Sequence, residues 1–512
     1  MPMKTRLHLI FLASFVVTLF SASGAFGQVG ESERRYIRVG ELQSHISAYG
    51  SERAWNNTYY EGLRWPAQYS YTDNAVIKRS WIAVEDFTDA DGFHWDQWGT
   101  YMSQGYVLNS LYPVELTQTA KFEQPTVYVD GENITAPYPG DVDSLNPSQI
   151  PDRIVNNVVN TSIGLTFTRR VLAFTQQYHD NYFIKEFVLT NTGNIDYDPE
   201  IELTDSLKGV RVGWGTRYSV CREGAFSSDN QQSWGKFSWV TRRGEQYAQH
   251  ATEVNDFTES TPFAQLEWIR GAFSWMGQSD AVNYDMIGAP DMNGGGRLTA
   301  PQFAGTAVLH VDQSANNTAD NPQQPTMLGW HAGDTYPSVG NLQPSDMDEM
   351  AILYDYLSGT PYPNQGKGGD SRMFEEKTNS ITDRTSPYTI HGDGGGTNVW
   401  ITYGPFDLGP GDSVKIVEVE GINGLSRQMC INIGREWYQA YQSQASGAAF
   451  VLPDGSTTDD MDLFKNSWVY TGMDSIMLTF SRALRNYNMD YQIPQPPLPP
   501  PVFQVESGGD KI

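Results

Sequence analysis

Ile163–Gly193 reads IGLTFTRRVLAFTQQYHDNYFIKEFVLTNTG. Its first arm alternates, with Ile163, Leu165 and Phe167 on one side and Thr166 and Thr168 on the other. That is the period of two of a half-buried strand. After Arg169-Arg170 the apolar residues fall on both parities, Val171, Leu172, Ala173 and Phe174. A bulge there would let one long strand change its buried face. The second arm carries Phe183, Phe187 and Leu189 on one face and Tyr182, Ile184 and Val188 on the other. A strand apolar on both faces belongs inside a stack of layers. His179-Asp180-Asn181 supplies turn residues between the arms. Gly193, free to take positive φ, ends the second arm. Together they predict a mainly β fold: a large antiparallel β-sandwich with about three peripheral α-helices.

The flanking sequence divides accordingly. Residues 1–27 form a secretory signal peptide: Lys4 and Arg6, an apolar run Leu7–Phe20, and a small-x-small cleavage site at Ala25-Phe26-Gly27. The run is short for a bilayer span, and no membrane span is expected after cleavage. Residues 28–111 form an aromatic-rich N-terminal β segment, and 112–425 the main sandwich with one helix near 346–358. In that helix Met347, Met350, Tyr354 and Leu357 share a face. Residues 426–493 form a helical part packed on the sandwich. Met429, Ile433, Trp437 and Tyr441 set the register of its first helix, and the second runs from about Asp474 to Asn486. The run PQPPLPPP (494–501) reads as a stiff polyproline spacer. Residues 502–512 read as a strand, a turn and the start of a second strand.

The formal charge is −26 over 512 residues, and removing the leader, with its two cations and no acid, makes it −28. Such a chain is excluded as a nucleic-acid binder, because phosphate contact needs clustered Lys and Arg. Of the two cysteines, Cys221 and Cys430, either a disulfide or two separate buried thiols is consistent with export.

No Walker loop, nucleophile elbow or H-E-x-x-H is present. The loop DFTDADGFHWD (86–96) is the leading local candidate for a site. Asp89, Asp91 and Asp96 offer oxygen ligands to calcium, and Gly92 permits a tight turn. The competing reading is a solvated acidic loop. Loops at Asp291–Gly296 and Asp393–Gly396 carry the same pair of readings. His94 with Asp96, and His179 with Asp180, are candidate acid–base pairs, although neighbours in sequence more often serve turns. No catalytic residue is assigned. Trp95 and Trp98, in a polar loop, are expected to be exposed and to stack on ligand rings.

Residues 502–512, with their proline-rich lead-in, resemble the opening of a fibronectin type III domain. The main body is similar to the N-terminal region of large secreted proteins of the Bacteroidetes-type (type IX-like) secretion group. The matching stretches are QYHDNYFIKEFVLTNTGN (177–194), APQFAGTAVLHVD (300–312), QQPTMLGWHAGD (323–334) and GPFDLGPGDSVKIVEVEGING (404–424). The resemblance implies location and architecture, with no settled activity. This sequence carries no C-terminal sorting domain of the kind found in that group. The expected function is a secreted, non-catalytic extracellular scaffold or binding module for extracellular polysaccharide or cell-surface components. A carbohydrate-active enzyme, glycoside hydrolase or lyase, on a β-sandwich is the alternative.

Overall fold

Alternating and doubly apolar segments do form strands, and the strands form two large sheets. The computed structural model describes residues 29–30, 33–50, 62–102, 111–135, 142–218, 220–227, 235–241, 269–276, 282–332, 347–358, 397–443, 449–495 and 497–506. Residues 1–27, read as a signal peptide, and residues 393–396, read as a candidate loop, lie outside these residues. In chain order the main strands are Ala75–Thr88 (β1), His94–Met102 (β2), Leu111–Ala120 (β3), Arg153–Thr161 (β4), Leu165–Ala173 (β5), Tyr182–Asn191 (β6) and Leu207–Tyr218 (β7). Gly235–Thr241 (β8), Arg270–Met276 (β9), Gln302–Ser314 (β10), Met327–Ala332 (β11), Thr397–Leu408 (β12) and Ser413–Gly424 (β13) follow. The described helices are Arg222–Ser227 (α1), Met347–Leu357 (α2), Arg427–Ser443 (α3) and Met461–Asn488 (α4).

The larger sheet has the order β8-β9-β10-β13-β6-β5-β4-β3, and the smaller has β11-β12-β7-β1-β2. Every pair within these two orders is antiparallel. The sheets meet face to face. Ile82, Val212, Trp214 and Ile401 of the smaller pack on Phe167, Phe187, Leu189 and Ile416 of the larger. The opposite face of the larger sheet is covered by α3 and α4, where Tyr182, Ile184, Phe303 and Val419 meet Ile433, Ile476, Met477 and Phe480. Helix α2 covers the outer face of the smaller sheet, setting Leu353, Tyr356 and Leu357 on Trp81 and Trp400. The result is a four-layer stack with the larger sheet inside it.

This placement explains the central hairpin. β5 pairs with β6 and with β4 in unbroken register, so the expected bulge after Arg170 is absent. Apolar residues sit on both parities because both faces are covered, and no change of face is needed. Phe183 turns toward the N-terminal segment beside Ile37 and Ile46, while Ile184 turns toward α4. Burying each such side chain contributes about 1.5–3 kcal/mol.

α4 begins earlier than the sequence periodicity indicated, at Met461. Asp460 caps it, its carboxylate accepting from Asp462 N and Leu463 N, a cap of about 1 kcal/mol. Its first turns bury polar residues, Lys465, Asn466 and Ser467, which masked the apolar stripe. The strands of residues 28–111 join the body: β1 pairs with β7, across the boundary drawn at 111. The proline run also stays on the body. Lys121 Nζ donates to Gln495 Oε1 at 2.5 Å, and Val502–Val505 pairs in parallel with Thr126–Val129.

Candidate functional site

β10 carries His310 and Asp312, and residues two apart on a strand share a face. The β10–β13 register shifts between Val308 and His310. Val308 and Val311 both lie in the intersheet core, so the shift places His310 and Asp312 on the α4 side. The return strand Asn317–Asp320 sets Asp320 opposite Asp312. Arg270 opens β9 opposite Val308. Its Nη2 donates to both carboxylate oxygens of Asp320, at 3.0 and 3.1 Å. Its Nη1 donates to the carbonyls of Asn321 and Gln324, each at 2.8 Å. The fork is therefore fixed in plane.

His310 Nε2 lies 2.8 Å from Asp312 Oδ1, and Nδ1 lies 4.0 Å from Asp320 Oδ1. Asp312 Oδ2 accepts from the Lys415 amide at 2.7 Å. The Tyr487 ring of α4 stands 5.8 Å from the imidazole, with Lys415 Nζ 5.6 Å over its centre. Burial and the Glu186 carboxylate push the Tyr487 phenol up to about 12. Tyr491, raised by burial and by the same carboxylate, donates to Glu186 Oε1 at 2.9 Å. Both phenols are protonated donors at neutral pH. Arg270, Leu309, His310, Asp320, Leu484 and Tyr487 enclose most of a recess of about 300 Å³. That is the low end of ligand-site volumes. A larger recess of about 400 Å³ lies under the proline run, walled by Pro497, Pro499 and Phe122.

The residues picked from sequence lie elsewhere. Trp95 and Trp98 are not exposed; both are buried, at 8% and 9%. The polar stretch that held them is strand β2, not a loop, and both indoles join the intersheet core. Asp86, at φ 50°, turns the backbone beside them. Asp89, Asp91 and Asp96 do not form a group close enough to share an ion. Asp89 Oδ1 accepts from Asp91 N and Phe93 N, and Oδ2 accepts from Trp95 Nε1 at 2.9 Å. The carboxylate that was to bind calcium instead closes its own turn, with Gly92 at φ 82°. The Asp291 carboxylate similarly caps Asn293 N and Gly294 N. Among the described residues, Asp196, Asp198 and Glu202 are the carboxylates close enough to share an ion. They accept from Asp198 N, Glu200 N and Ile195 N within their own loop.

His94 lies 3.6 Å from Asp96 and 3.7 Å from Asp86, an exposed surface contact. His179 pairs with Tyr182, not with Asp180: its Nδ1 lies 2.5 Å from the phenol oxygen. Asn486 Nδ2 donates to that oxygen at 3.0 Å, so the phenol proton points at an unprotonated Nδ1. Burial, then Arg482, lowers His179 to about 4. Burial, then Glu41, raises Asp180 to about 6.

No family model matches the chain, and no curated protein matches it.

The sequence carried a signal for the His310 recess: His-x-Asp (310–312) at the end of the apolar run GTAVLHV (305–311). Residues two apart in a strand share one face. Which face depended on the register shift, which composition does not encode. Tyr487, more than a hundred residues away in sequence, has no local mark.

Proposed function

We propose that the protein is a secreted extracellular scaffold or binding module that takes a hydroxyl-rich ligand, the end of a glycan chain, in the His310 recess. The observation that carries this reading is the convergence there of one aromatic ring, an imidazole, and a guanidinium–carboxylate pair locked in plane. Sugar rings present an apolar face to an aromatic ring and fixed hydroxyls to rigid donors and acceptors. Export is supported by the leader pattern of residues 1–27. Among the described residues no helix is long and apolar enough to cross a membrane.

The test is a glycan array with the purified full chain beside its Tyr487→Ala variant. Retention of a glycan by the wild type, lost in the variant, supports the reading. No retained glycan on the wild type overturns it. A second reading, a carbohydrate-active enzyme, is favoured by one observation: the 2.8 Å contact of His310 with Asp312, the geometry of an oriented general base. Released oligosaccharide in the same experiment would select it.

A further inference from the structure

Between the two sheets lies a group of charges that the recess does not use. Lys185 of β6 and Glu420 of β13 are both fully buried and in contact, Nζ against Oε2. Lys185 stands directly opposite Glu418, and Phe183 opposite Glu420, so all four side chains lie on the face of the larger sheet that meets the smaller sheet and the N-terminal segment. Glu418 is also fully buried. It accepts from the Tyr403 hydroxyl at 2.7 Å and lies 3.5 Å from Lys78 Nζ. The Tyr218 hydroxyl donates to the other oxygen of Glu420, Oε1, at 3.3 Å. Phe183, Ala304 and Ile422 pack on one side of this group, and Phe187, Trp214 and Ile416 on the other.

We infer that Lys185 and Glu420 are a modification site, at which the chain closes an isopeptide bond between its own side chains. The reaction needs four things, and each has a named residue. An amine must touch a carboxyl carbon's substituents from a fixed direction; adjacent strands hold Lys185 and Glu420 so. The pair must be out of water, where separated charges are costly and a neutral product is favoured. A donor must stabilise the oxygen that takes charge in the tetrahedral intermediate; Tyr218 sits on Oε1. A carboxylate must carry the proton; Glu418, opposite Lys185, does so.

The Nζ–Cδ bond forms and the Cδ–Oε2 bond breaks. The ammonium carries three protons; one stays on the amide, and two leave with Oε2 as water, Glu418 relaying one of them. No oxidant, reductant or cofactor enters. Two more lysines are buried against acids: Lys78 beside Glu418, and Lys465, whose Nζ donates to Asp285, the Ile287 carbonyl and Asn466, each at 2.7 Å. No link is expected at either, because the Tyr218 hydroxyl sits on the Glu420 carboxylate.

Intact-mass spectrometry of the folded full chain, with peptide mapping, tests this. The expected result is a mass lower than the sequence by one water and a branched peptide joining Lys185 to Glu420. Lys185→Arg restores the full mass. Should that variant not fold, Glu418→Gln keeps both reacting groups, and it is expected to fold and regain the water. Wild type at full mass overturns the inference. So does a link mapped to Lys78 or Lys465, and a Glu418→Gln variant that still closes the bond removes Glu418 from the mechanism. None of these outcomes bears on the glycan recess.

Discussion

Phe183→Ala and Ile184→Ala alter adjacent residues whose side chains point to opposite faces of one strand. Phe183 is 1% exposed, and Ile184 has no exposed surface. Truncating a fully buried Ile costs about 2–5 kcal/mol and a Phe about 3–5 kcal/mol. In a sheet with one wet face, one of the two would cost almost nothing. Here each is expected to cost at least about 2 kcal/mol. Different clusters receive the two side chains, and the simple sum is the reference against which coupling between these neighbours is read. The double variant would then lose about 5–10 kcal/mol, comparable to the whole stability of many domains. The assay is urea unfolding of each variant, with an unchanged slope required before midpoints are compared. A cost below about 1 kcal/mol for either single variant would refute the buried-middle-layer arrangement.

Asp89→Ala removes the acceptor for the buried Trp95 indole, and leaving that donor unmet is expected to cost about 1–3 kcal/mol. Thermal melts measure it, and the same melts with calcium and with EGTA should coincide, because the Asp89 oxygens are already committed. His179 and Asp180 should oppose one another in pH dependence. His179 falls from 6.5 to about 4, so its contribution is full above pH 6.5 and is lost as pH drops toward 4. Asp180 rises from 3.8 to about 6, so its contribution is full below 3.8 and is lost as pH climbs toward 6. Asp180→Asn should therefore steepen the gain of stability from pH 4 to 6.5, and His179→Asn should reverse its sign. Parallel curves for the two variants would contradict the assignment.

The strands and their order of burial were readable where a residue pattern has one structural meaning. Tyr182–Asn191, apolar on both faces, could only be an interior strand, and it is. Readings failed where the same pattern has two. Apolar residues on both parities after Arg170 signified two covered faces rather than a bulge. The polar residues around Trp95 and Trp98 signified a strand with one wet side rather than a loop. Buried Lys465 and Asn466 hid the first turns of α4, from Met461 to the expected start near Asp474, because their partner Asp285 is 180 residues distant from Lys465. The proline run looked like a spacer because the strand that receives its far end, Thr126–Val129, leaves no trace in the run itself. The recess was illegible for a related reason: Arg270, His310 and Tyr487 converge only after the β10 shift and the docking of α4.

Hydrogen–deuterium exchange of the native protein, read on peptides covering Tyr182–Asn191 and Ser413–Gly424, is the most direct measurement of the layered core. A sheet closed on both faces by another sheet and by α4 opens only with global unfolding. These two strands should exchange slowest of all described segments, and the 194–202 loop among the fastest. Exchange of Tyr182–Asn191 at the rate of that loop would contradict the account.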